Sequence, residues 1–117
     1  MPIIRRGDVP AQEAAGVRRQ TLADGSLGAV SLTVLDVTLA PGSRLPMHIH
    51  PGHEECIVVL EGAVQWELGD DKGTVVAGST IIAPQGVKHT LINGSSSPAR
   101  VIAIFPTTSM QRVAVEP

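Results

Sequence analysis

Short runs of Val, Ile, Leu and Thr, each closed by a glycine or a proline, recur along the whole chain. Twelve glycines and nine prolines are spread through 117 residues instead of being pooled in one linker. Runs of this length and spacing predict strands and turns, and so an all-β sandwich or barrel, not a helical bundle. AVSLTVLDVTLAPG is a long β-type run ending at a Pro-Gly turn. Side chains alternate across a strand, so Leu32, Val34, Asp36 and Thr38 share one face and Thr33, Leu35, Val37 and Leu39 the other. CIVVLEG is a near-continuous apolar run closed by Gly62. AVQWELGDDKG alternates Val64, Trp66 and Leu68 with Gln65 and Glu67, and predicts a turn at Asp70, Asp71 and Gly73. TVVAG and STIIAP are two further short strands. VKHTLING ends in Asn-Gly, a hairpin signal, which SSSP extends. ARVIAIF is the last predicted strand and stops at Pro106. One stretch, PAQEAAGVRR, reads as one or two helical turns, with Pro10 in a first-turn position and Gly16 as the stop. In the tail, residues 107–117, only VAV has a strand-like pattern.

Composition narrows the class. Hydrophobic residues make up 43% and charged residues 17%, which is globular composition. No repeat or composition shift divides the chain, so residues 1–117 read as a single domain, with N-terminal strands in 1–27. The net charge of −2 and the lack of any Lys/Arg block argue against a nucleic-acid footprint or an anionic-membrane anchor. Arg5–Arg6 and Arg18–Arg19 read as solvated surface. The single cysteine, Cys56, excludes an internal disulfide and, set in CIVVL, reads as a buried structural thiol in a reducing compartment. No apolar run has the form of a signal peptide or approaches the ~20 residues of a membrane span. The expectation is a soluble, cytoplasmic protein.

Chemistry concentrates in PMHIHPGHEE, residues 46–55, which holds three of the four histidines and two carboxylates. His48 and His50, two apart, project from one face of a strand, with Ile49 on the other. Two converging imidazoles are a metal-ligand arrangement, although a His-x-His pair also occurs in solvated loops. Pro51-Gly52 offers a turn, after which a glutamate can return toward the pair.

The wider spacing is more specific. Gly42, His48, His50, Glu55 and Gly62 resemble the first sequence motif of the cupin superfamily. Gly78, Pro84, Gly86, His89 and Asn93 resemble the second. The resemblance covers residues 42–93. It implies an antiparallel jelly-roll β-barrel holding one divalent transition-metal ion (Fe, Mn, Ni, Zn, Co or Cu) through His48, His50, Glu55 and His89. On this reading the first three ligands come from one strand and the hairpin after it. The fourth comes from a later strand brought alongside by barrel closure. Counting back from Gly62 selects Glu55 over Glu54, which faces outward. His53 matches no ligand position and is expected to be a solvent-facing loop residue. The glycines of both motifs are expected at turns, and Pro84 at the turn that delivers His89.

The functional expectation is a metal-dependent enzyme acting on a small, oxygen-rich chelating molecule, most simply a dioxygenase. A lyase or isomerase is the alternative, as is a binding or sensing module without catalysis. The chain has no tyrosine, so the His/Asp–Tyr acid–base pairing of cupin sugar epimerases is missing. Trp66 and Phe105 read as core, and Gln65, Glu67, Gln85 and Lys88 are the candidate polar pocket residues, Lys88 facing away from His89. The resemblance also implies a homodimer, with Ile3–Ile4 and residues 113–115 as candidate pairing segments.

Overall fold

The computed structural model describes residues 1–115; residues 116 and 117 of the predicted tail lie outside them. Eleven strands follow in order: β1 (Ala11–Ala14), β2 (Val17–Ala23), β3 (Thr33–Leu39), β4 (His48–Ile49), β5 (Glu55–Glu61), β6 (Ala63–Leu68), β7 (Asp71–Val76), β8 (Thr80–Ala83), β9 (His89–Ile92), β10 (Ala99–Phe105) and β11 (Val113–Ala114). Two short 3-10 turns, Arg6–Asp8 and Gly25–Leu27, are the only helical elements among the described residues. One sheet has the order β1-β2-β3-β10-β5-β8 and the other β11-β4-β9-β6-β7, with every pairing antiparallel. From β3 onward the chain passes from sheet to sheet almost strand by strand. That is the jelly-roll, or double-stranded β-helix, that the motif resemblance implies; the runs by themselves predict only an all-β sandwich or barrel.

The inner faces of the two sheets meet in a core of Val17, Val37, Leu39, Ile57, Val59, Val64, Leu91, Ala99 and Val101. Val37, Leu39, Ile57, Val59 and Val101 come from alternate positions of β3, β5 and β10, as strand periodicity requires. Each such side chain contributes about 1.5–3 kcal/mol when fully buried. The opposite face of β3 is not simply solvated. Asp36 lies there at 2% exposure, its carboxylate held by Arg100 (Nε–Oδ1 3.0 Å, Nη2–Oδ2 2.8 Å) and by Arg6 (Nη2–Oδ2 2.8 Å).

Four local readings are corrected. The stretch read as helical turns is the β1–β2 hairpin, with Ala14 opposite Val17. Its two-residue turn puts both Ala15 (φ 52°) and Gly16 (φ 80°) at positive φ, the twist a tight hairpin favours. An isolated helix this short is marginal in water, whereas β2 gains a whole strand of pairing with β3. The turn after β6 is Gly69–Asp70, so Asp71 and Gly73 belong to β7. Gly73 sits opposite Trp66, where a Cβ would come within 2.8 Å of the indole. Asn93-Gly94 closes no hairpin, because β9 and β10 lie in different sheets. Instead the buried Asn93 side chain braces the crossing loop, donating to Leu39 O (2.9 Å) and Ser97 O (2.8 Å) and accepting from Ser95 N (3.0 Å). Cys56 is half-buried on the outer face of β5, not in the core.

Val113–Ala114 forms β11 against β4 of its own chain, so one edge of that segment is already used internally. No helix among the described residues is long and apolar enough to cross a membrane.

Candidate metal centre

His48, His50, Glu55 and His89 converge, their candidate ligand atoms all within 4.8 Å of one another. All four are buried, at 2–6% exposure. Sheet register explains the meeting. His48 on β4 lies directly opposite His89 on β9, so their rings stand 4.3 Å apart. His50, two residues on, keeps the same facing, and its ring centroid is 4.9 Å from that of His48. Glu55 opens β5 in the other sheet and reaches across the barrel. The expected assignment of ligands to elements is therefore reversed. β4 and β5 form no hairpin; His89 is a neighbour within one sheet, and Glu55 is the residue that closure delivers. The local reason is the Pro51-Gly52 turn, which carries the chain between sheets instead of folding it back within one.

The imidazoles are aimed by backbone. Nδ1 of His48 donates to Pro46 O (2.7 Å), that of His50 to Gln111 O (2.6 Å) and that of His89 to Val87 O (3.0 Å). A carbonyl can only accept, so each Nδ1 carries the proton and each Nε2 is the free ligand atom. Nε2 of His50 and of His89 then stand 3.0 and 2.9 Å from Glu55 Oε1. Two acceptors at that separation repel unless a proton or a cation lies between them. Three aimed imidazole nitrogens, a carboxylate and no thiolate fit a first-row divalent ion. Turn 84–87 supports the same centre, with Gly86 N donating to His50 O at 2.9 Å.

The titration behaviour follows from this crowding. Burial pushes the Glu55 carboxyl up, but His50 and His89, which donate to it through Nε2 when their rings are protonated, together outweigh it and hold the group down at about 2. Burial pulls His48 down to about 4, only partly opposed by its bond to Pro46. His89 is also penalised by burial, yet its bond to Glu55 raises it above the usual histidine value.

His53 is not the solvent-facing loop residue expected. It is 8% exposed, its ring stacks on His50 at 5.1 Å, and its Nε2 accepts from Gln111 N at 3.1 Å. Phe105, expected as core, is 2% exposed and meets both rings edge-on at 5.1 and 5.6 Å. Glu54 is exposed, as expected.

A cavity of about 290 Å³ opens beside the cluster, walled mainly by Leu35, Val37, Leu45, Ile57 and Leu91, with Phe105 at its side. None of the four polar candidates reaches it. Gln65 and Glu67 line a separate outer groove, Gln85 is exposed and donates to Pro51 O, and Lys88 is half-exposed near Asp70. The polar wall comes instead from Gln12, Arg19 and Arg112. Arg19, expected on the surface, faces inward because it pairs with Val37 in the β2–β3 register. Only recognition of β2 as a strand, with Val17 and Arg19 on one face, would have signalled it.

Comparison with known proteins places this geometry. The chain is 34% identical over 85 residues to the auxin-binding protein ABP19b of Prunus persica, covering 68% of this chain and 40% of that protein. It is 29% identical over 89 residues to germin-like protein 1 of Brassica napus, covering 72% of this chain and 43% of that one. The chain thus spans about two-fifths of the length of these relatives. Over 112 residues it is 25% identical to the tetracenomycin polyketide synthase protein TcmJ of Streptomyces glaucescens, covering 92% of this chain and 75% of that one. Among solved structures, the polyketide cyclase RemF of Streptomyces resistomycificus superposes with a TM-score of 0.84 at 26% identity, over 100% of this chain and 87% of that one. Oxalate decarboxylase of Lactobacillus farciminis matches at TM-score 0.85 and 16% identity over 93% of this chain and 34% of that one, a likeness of fold. The cupin domain model aligns with residues 35–105, from within β3 to the end of β10. That span takes in all four converging side chains and the strands that aim them, and the chain belongs to the cupin family.

Proposed function

We propose that His48, His50, Glu55 and His89 bind one divalent transition-metal ion and that the protein is a metal-dependent enzyme for a small, oxygen-rich chelating substrate, with dioxygenase-type chemistry. The observation carrying this reading is the set of three Nδ1–carbonyl bonds. They turn three Nε2 atoms toward one carboxylate before any ligand arrives, and such preorganisation is what a catalytic centre needs. A divalent ion bound there supplies Lewis-acid polarisation of chelated oxygens and positions open to small ligands. The chain's own residues do the rest. Leu35, Val37 and Ile57 exclude water, Phe105 holds the His50 ring, and Glu55 balances charge.

A second reading, an isomerase or cyclising lyase that needs no O₂, is favoured by the full-length likeness to the polyketide cyclase. Elemental analysis of protein purified without chelator should find about one equivalent of metal. Oxygen uptake by the Fe²⁺-loaded protein against diketones, catechols and flavonols then separates the readings. Uptake supports the first, and turnover under argon supports the second. Full metal content in both His48→Ala and His89→Ala would overturn the site itself.

A further inference from the structure

The cavity beside the metal centre carries a charge imbalance that the centre does not use. Among the described residues Glu55 is the only carboxylate on its wall, and it is engaged by His50 and His89. Arg19 and Arg112 stand on the same wall. Among the described residues neither guanidinium has an ion pair or a side-chain hydrogen bond. With neutral imidazoles the wall therefore bears a surplus positive charge even before a divalent ion is counted.

Neither arginine is placed by accident of a loose tail. Arg112 follows Gln111, whose carbonyl accepts from His50 Nδ1 (2.6 Å) and whose N–H donates to His53 Nε2 (3.1 Å). It precedes Val113, which pairs with Ile49. The backbone is thus pinned on both sides of Arg112, one anchor being a candidate ligand. Arg19 is set by β2, opposite Val37 on the inward face. The two charges feel each other. Burial first, and then the charge of Arg19, lowers the pKa of Arg112, while Glu55 partly restores it. Arg112 is exposed and Arg19 partly buried, so the pair stands at the mouth of the cavity, where two neighbouring like charges favour a counter-anion.

The cavity continues outward past this pair. Gln12, Arg19, Leu35 and Met110 also line an adjoining groove of about 490 Å³. Asp8 and Asp24 stand on that groove, and neither pairs with Arg19; Asp24 accepts instead from Ser26 and Leu27.

We infer that Arg19 and Arg112 form a carboxylate clamp at the junction of the inner cavity and the outer groove, so that the substrate is an apolar body bearing a carboxylate besides its chelating oxygens. Guanidinium groups suit this task because their planar donors match a carboxylate's two oxygens. The apolar walls take the body, and the two arginines fix its register relative to the histidines. The inference rests on the cavity being the substrate site, as proposed above, but not on which reaction occurs there.

The test uses two probes of the same shape, 2-naphthoate and 2-naphthamide, measured by titration calorimetry on Zn²⁺-loaded and on chelator-treated protein. Naphthoate should bind at least about tenfold more tightly than naphthamide, with a preference that shrinks as salt rises. Arg19→Met and Arg112→Met should each remove most of that preference while leaving naphthamide binding and metal content unchanged. Arg112→Lys should retain part of it. Equal affinity for the two probes overturns the clamp, as does a preference that survives the double Met variant. A preference seen only in the Zn²⁺-loaded protein and insensitive to both arginines assigns the anion to the metal and also overturns it. If elemental analysis finds no metal while the preference persists in chelator-treated protein, the metal reading fails and the clamp stands.

Discussion

Among the described residues two carboxylates are buried in this barrel, on opposite faces of one sheet, and they are satisfied in opposite ways. Asp36 faces outward between Arg6 and Arg100, whose fixed positive charges meet both of its oxygens at 2.8–3.0 Å. Glu55 faces inward, and its partners are imidazoles, which carry charge only when protonated. The first pairing is complete in the polypeptide alone. The second is complete only with an added proton or cation. Burial at 2% and 6% is similar, so burial does not separate structure from site. The chemistry of the partner does.

The comparison breaks most visibly at the metal centre. His48→Ala or His89→Ala should lower metal affinity by well over 100-fold, read as loss of stoichiometric metal in elemental analysis, because each removes one of the four proposed ligands. Asp36→Ala should leave metal content intact and instead cost about 3 kcal/mol of stability by urea denaturation of chelator-treated protein. An unchanged midpoint in that variant would mean that the arginine pairing is energetically empty.

Acid should affect both carboxylates, with signs that can be followed group by group. Asp36 lies below its ordinary 3.8 because Arg100 holds it, so its contribution is present above that value and lost as pH falls through the folded one. Glu55, at about 2, behaves alike, its contribution being present above about 4.5. His48, lowered to about 4, disfavours protonation, so the metal-free fold loses stability as pH drops from about 6.5 toward 4. His89 is raised, so its contribution to the metal-free fold is full below about 6.5 and is lost as pH rises through its folded value. Because an ion must displace that proton, metal affinity should weaken on acidification below the His89 value while metal-free protein is still folded. Calorimetry in buffers of different ionisation enthalpy should detect the proton release.

The smallest expected effect is at His53. His53→Ala removes the stacking partner of His50 and the acceptor for Gln111 N–H, but no direct bond to a candidate ligand side chain. Metal affinity should fall by less than about tenfold, less than the loss of a directly bonded supporting group.

Much of the fold was legible along the chain because it depends on nearest neighbours. Alternation placed Leu35, Val37 and Leu39 on one face of β3, and they line the interior. Motif spacing picked out Gly62, whose φ of 78° and contact of 2.7 Å between a would-be Cβ and Pro98 O leave no room for a side chain. Misreadings occurred where a local signal had two tertiary outcomes. Asn-Gly marks a reversal, but whether the chain reverses within a sheet or crosses to another depends on which strand is free to pair. Ala and Glu before Gly16 favour a helix in isolation, and the open edge of β3 overrides that preference.

The sequence by itself determined the all-β class of fold and the shared facing of His48 and His50, because periodicity is a property of residue type and spacing; that Glu55 and His89 would join them was legible only through the resemblance of the two motifs to the cupin family. Tertiary structure alone decided that Glu55 arrives from the opposite sheet, that the backbone aims all three imidazoles, and that Arg19 and Arg112 share a wall 93 residues apart in the chain. Those outcomes rest on sheet register and on carbonyls from distant segments such as Gln111, and no spacing along a strand encodes which carbonyl a folded barrel will present.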